Sequence, residues 1–124
     1  MREERIQYFT EKEEEFTKLL IEIGTKKNVA KLLVFLSGKA EASSREIEHG
    51  ADMRQAEVST AMKYLKEQGW IKSRKSSTGN KGRRMIVYKL AKSVSAIIDS
   101  IESGKKNETR NQLALIRKLR ESPR

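Results

Sequence analysis

Apolar residues return along the chain with two different periods, and the change between them divides it. Residues 3–23 predict a helix, because Phe9, Phe16 and Ile23 repeat every seven residues, with Ile6, Leu20 and Leu19 on neighbouring rows. Glu13 falls in that seam, so the segment is an imperfect coiled coil that could pack on its own domain or on a second subunit. Residues 28–37 predict a second helix, with Asn28 as its cap, Val29, Leu32, Leu33 and Leu36 as its stripe, and Gly38 as its stop. In "SSREIEHG", Ser43 and Glu46 form a capping box for a short helix closed by Gly50. A fourth helix follows, capped by Asp52 with Gln55 three residues on, burying Val58, Ala61, Met62 and Leu65, and ending at Gly69.

After Gly69 the period shortens to that of a strand. "WIKSR" predicts one strand, "KSSTGNKG" a polar loop, and "RRMIVYKL" a second strand with Ile86, Tyr88 and Leu90 on one face. Trp70 and Tyr88 are expected in the core. Ser93 starts a further helix with Val94, Ile97, Ile98 and Ile101 as its stripe; Gly104 and "KKN" interrupt it, and a last amphipathic segment carries Leu113, Ile116 and Leu119. The predicted class is mainly α with a small β-hairpin: a winged helix-turn-helix over residues 25–92, flanked by helical extensions at 1–24 and 93–124.

Charge sharpens this picture. The net charge is +10. Residues 1–23 carry a net −3 and residues 24–67 a net +2, while residues 68–98 hold eight basic side chains and no acid. Such concentration favours a polyanionic partner over a merely solvated surface. The helix just before this block exposes Arg54, Gln55, Ala56, Ser59, Thr60 and Lys63, a set suited to a major groove. Arg pairs with guanine, Gln with adenine, Ser and Thr with base or phosphate, and Lys with phosphate; Ala56 allows close approach or meets a thymine methyl. Glu57 is discordant, and a first-turn carboxylate favoured by the helix dipole is the simpler account of it. The hairpin adds Arg74, Lys75, Lys81, Arg83 and Arg84, which fit a wing lying on the phosphate backbone or in the minor groove.

The stretch "RQAEVSTAMKYLKEQGWI", with the basic wing after it, resembles the small prokaryotic, particularly archaeal, winged-helix regulators of the arsenic-repressor, multiple-antibiotic-resistance-repressor and sugar-regulator types. The likeness rests on the Val58-Ser59 step and the Gly69-Trp70-Ile71 exit, and covers roughly residues 25–92. It implies that Gln55, Ala56, Ser59, Thr60 and Lys63 face the major groove. It also implies dimerisation through the terminal helices, which would recruit Phe9, Phe16, Leu20, Ile23, Ile97, Ile101, Leu113 and Ile116. The chain departs from the metal-sensing branch in lacking its cysteine and histidine ligands, which argues against metal-dependent release.

Composition removes other classes. With no cysteine, disulfides, thiolate metal sites and cysteine nucleophiles are excluded, and one histidine, His49, makes neither a zinc centre nor a triad. Ser43 and Ser44 read as helix caps, and the carboxylates of residues 11–15 as a solvated face, so no enzyme, metal or cofactor is expected. No apolar run approaches the ~18 residues of a membrane span, which predicts a soluble cytoplasmic protein. The expected function is a homodimeric, sequence-specific transcriptional regulator on double-stranded DNA. Two rivals stay open: an architectural protein binding DNA without sequence choice, and a winged helix used as a protein-interaction module of the transcription machinery.

Overall fold

The computed structural model describes residues 9–76 and 85–123. Its elements are α1 (Glu11–Glu22), α2 (Lys27–Ser37), β1 (Ala42–Ser43), α3 (Ser44–Gly50), α4 (Gln55–Glu67), β2 (Ile71–Ser76), β3 (Met85–Leu90) and α5 (Val94–Glu121). They form two compact units, one ending at Ala91 and the other beginning at Lys92.

In the first unit α2 is the central helix. Val29, Ala30 and every residue from Leu32 to Leu36 are buried, because α1, α3, α4 and β3 all pack around it. Leu32, Ile47 and Leu65 are completely buried where α2, α3 and α4 belong to one core. Each fully buried aliphatic side chain of this kind contributes about 1.5–3 kcal/mol of transfer free energy. Gly50 is required by close packing: a Cβ there would run into the Phe35 ring.

The sheet has three antiparallel strands in the order β1-β3-β2. The expected hairpin is present, with Ile71 paired to Leu90 and Ser76 to Met85. The two-residue β1 was not expected, since Ala42-Ser43 is too short to show any alternation; Ala42 pairs with Tyr88 and Ser43 with Val87. Helices α2, α3 and α4, with the short β1 between the first two and the β2–β3 hairpin after the third, make a winged helix-turn-helix.

Several expectations fail at helix ends. The helix expected over 3–23 starts at Glu11 among the described residues; residues 3–8, with Ile6, lie outside them. Thr10 and Glu13 form a reciprocal capping box, Thr10 N donating to Glu13 Oε1 at 2.9 Å and Glu13 N to Thr10 Oγ1 at 3.2 Å. That explains the carboxylate in the apolar seam and leaves Phe9 outside the helix, so the seven-residue repeat does not run along one helix. Asn28 does not cap α2, whose N-cap is Lys26 without a side-chain bond. Asp52 does not cap α4 either. It sits at φ 52° in the turn, a left-handed conformation that Asp tolerates, and Arg54 takes the N-cap position.

Other ends match. Ser43 and Glu46 make the expected capping box, with Ser44 as the first helical residue rather than a cap. Gly69, at φ 76°, closes α4 with Gly69 N donating to Lys66 O and Trp70 N to Leu65 O, the two bonds of a Schellman motif. That turn delivers Trp70 to the core, where it meets Tyr64 edge-on at 6.2 Å.

The second unit is α5, with Ser93 as its cap, accepting from Ala96 N at 3.1 Å. It is one continuous helix of 28 residues, not two segments broken at Gly104. One glycine costs only about 1 kcal/mol relative to alanine, less than a helix of seven turns can absorb.

Candidate nucleic-acid interface

Helix α4 separates its side chains cleanly. Val58, Ala61, Met62 and Leu65 are buried, whereas Gln55, Ala56, Ser59, Thr60 and Lys63 are exposed, as is Arg54 at the N-cap. The turn preceding the helix is pinned by Lys31 of α2, whose Nζ donates to Asp52 O at 3.0 Å, and by Met53 N donating to Glu48 O at 3.0 Å. Thr60 Oγ1 donates to Ala56 O at 3.0 Å, which occupies its proton and leaves its lone pairs as acceptors.

Glu57, the discordant acid, has a structural post. Its carboxylate accepts from Arg54 N at 2.9 Å, a half capping box, since an arginine side chain has no acceptor to return the bond. That hydrogen bond, helped by the charges of Arg54 and Lys31 and a bond from Asn28, holds its carboxyl below the usual carboxylate range. The polar face of α4 is left without a free acid in its first two turns.

A cleft of about 270 Å³ runs beside that face, bordered by Ser44, Ser59, Lys63, Lys66 and Tyr88. Tyr88, expected in the core, is half-buried, with Lys66 Nζ 5.4 Å from its ring centroid. Ile86, expected on the apolar face with it, is 46% exposed.

In the wing, Arg74 and Lys75 are exposed on β2, while Lys81, Arg83 and Arg84 lie outside the described residues. The expectation that no acid neutralises this block fails at Arg74. Its Nε and Nη2 donate to the two carboxylate oxygens of Glu41 at 2.6 Å each. Glu41 lies 27 residues before the acid-free block begins, so counting charges by segment could not find it; it directly precedes β1, which pairs with β3, and its carboxylate reaches Arg74 on β2 across that strand.

The residues assigned to dimerisation divide three ways. Leu20 and Ile97 are buried within the single chain, Phe9, Phe16 and Ile101 are half-buried, and Ile23, Leu113 and Ile116 are exposed. Leu115 and Leu119, absent from that set, are more exposed than either neighbour, at 59% and 74%. Among the described residues no helix is long and apolar enough to cross a membrane, and no group of three or more His, Cys, Asp or Glu could hold a metal ion.

No protein-family model matches the chain, and no curated protein matches it. Solved structures do. The chain is similar to a possible transcriptional regulator from Methanosarcina mazei Go1, at TM-score 0.63 and 13% identity, covering 86% of each chain. It is similar to a further transcriptional regulator at TM-score 0.55 and 16% identity, covering 92% of this chain and 91% of that one. A MarR family regulator from Neisseria meningitidis matches at TM-score 0.50 and 19% identity, over 87% and 82%. At such identities the likeness establishes the winged-helix fold.

Proposed function

We propose that this winged helix is a sequence-specific DNA-binding transcriptional regulator that acts as a homodimer. The observation that carries the reading is the exposed face of α4: Gln55, Ala56, Ser59, Thr60 and Lys63 stand free of acid because Glu57 is bonded to Arg54 N. Each subunit would place this face in a major groove, Gln55 and Arg54 reading base edges and Lys63 meeting phosphate, with the basic wing on the flanking backbone or minor groove. The solved structures that share this fold are themselves transcriptional regulators, which supports the same use here. Dimerisation would use the exposed stripe of Leu113, Ile116 and Leu119 on α5, since a soluble helix gains little by leaving such residues in water. Two-fold symmetry then calls for a pseudo-palindromic site with half-sites about one helical turn apart.

The test is selection of bound fragments from random duplex DNA, followed by competition with unrelated duplex. Enrichment of a two-fold sequence that outcompetes unrelated DNA supports the reading. Equal affinity for all sequences gives the protein to the architectural class, and absence of binding at moderate salt gives it to the protein-interaction class.

A further inference from the structure

The outer face of the wing sheet carries a cation cluster that groove reading by α4 does not use. The register pairs Lys72 with Lys89 and Arg74 with Val87. Side chains alternate across a strand and directly paired residues share a face, so Lys72, Arg74 and Lys89 stand together, opposite the face of Ile71 and Leu90. Two lysines directly opposite one another weaken an antiparallel pair. Nothing in the packing requires them there, since Lys72 is exposed and Lys89 only half-buried.

Glu41 is the acid that the fold brings to this cluster. It grips Arg74 through two bonds of 2.6 Å and feels the charge of Lys89. The Arg74 hydrogen bonds, with the charges of Arg74 and Lys89, hold its carboxyl below the usual range, so at neutral pH it is fully ionised. One carboxylate against three cations leaves the face positive. Arg74 remains 57% exposed, and three of its five N–H donors are not used by Glu41.

Resting on the DNA-binding reading above, we propose that Lys72, Arg74 and Lys89 form a second phosphate-binding surface, separate from α4, and that Glu41 sets its strength by neutralising Arg74. The DNA backbone is the partner that fits, because a row of phosphates can meet several cations on a flat sheet and each contact releases a counterion. Glu41 acts as a brake: it keeps the wing from adding its full charge to every sequence, which would raise non-specific binding.

The experiment measures binding of the full chain to duplex DNA across a salt series. Glu41→Gln should tighten binding several-fold near 0.1 M salt and steepen the log–log salt slope by about 0.9 per subunit. The double variant Glu41→Gln with Arg74→Gln should return both to wild-type values, because the pair is already neutral. Lys72→Gln with Lys89→Gln should flatten the slope by up to about 1.8 per subunit. A wild-type chain that binds no duplex fails the DNA reading and this inference with it. A wild type that binds, with Glu41→Gln leaving the slope unchanged or flatter, overturns the inference alone. Should Glu41→Gln fail to fold by circular dichroism, the lysine pair decides: a folded double variant with an unchanged slope overturns it.

Discussion

Helices α4 and α5 are both amphipathic, yet they show water opposite faces. In α4 the apolar stripe is buried to the last residue and the exposed side is polar. In the second half of α5, Leu113, Leu115, Ile116 and Leu119 are all exposed, between 46% and 74%. Hydrophobic burial has been completed within one subunit for α4 and has not for α5. An exposed polar face asks for a polar partner or for water, whereas an exposed apolar one asks for protein. The same pattern on two helices thus points to two different kinds of partner.

The sharpest way to break this contrast is to remove a side chain that α4 has already buried. Leu65→Ala should destabilise the fold by about 2–5 kcal/mol, read as a lowered midpoint in urea, because a fully buried leucine leaves a cavity behind. The corresponding change on α5 should act on assembly instead. Leu113→Gln with Ile116→Gln and Leu119→Gln keeps good helix formers in place and should yield a folded monomer by light scattering. Its affinity for a two-half-site duplex should fall by on the order of 10²-fold, as the second half-site is no longer tethered. A triple variant that stays dimeric would remove α5 from the interface.

On the polar face the effects are smaller and selective. Gln55→Ala should leave the unfolding midpoint nearly unchanged and relax preference at one or two base pairs by about 1–3 kcal/mol, measured against a panel of single-base variants of the selected site. A uniform loss across that panel would make Gln55 a phosphate contact. Gly104→Ala should raise stability by about 0.5–1 kcal/mol, since nothing lies within 4 Å of the added methyl and the residue is helical.

The division of α4 was legible in the sequence because a 3.6-residue period places Val58, Ala61, Met62 and Leu65 on one side wherever the helix packs. Gly69 was legible for the same local reason, as few other residues close a helix at positive φ. Capping is less legible. Asp52 and Asn28 have the right chemistry, but the turn between α3 and α4 holds Asp52 at φ 52°, and α2 starts at Lys27 with Lys26 at its N-cap, which places Asn28 inside the helix. Thr10-x-x-Glu13 is itself a capping-box signature, but the seven-residue apolar repeat runs across it and masks the helix start. Glu41 and Lys66 could not be found locally at all. Their partners, Arg74 and Tyr88, are more than 20 residues away and meet them only once the sheet has formed against α4.

Glu57 offers the finest test, because it links the two surfaces of α4. Its carboxyl titrates lower in the folded chain than its ordinary value of 4.5, chiefly through the Arg54 N–H it accepts. A depressed folded-state value means the ionised form favours folding. That contribution is fully present above the unfolded value and is lost as pH falls through the folded one. Stability should therefore decline below about pH 4.5 with a component that Glu57→Gln removes. The glutamine keeps an acceptor for Arg54 N, so at neutral pH the fold should be little changed. DNA affinity should change little as well, since the Glu57 carboxylate is held at the helix start by Arg54 N. A large gain in affinity on Glu57→Gln, with an unchanged acid limb in the unfolding midpoint, would return this acid to the reading face and blur the separation on which the contrast with α5 depends.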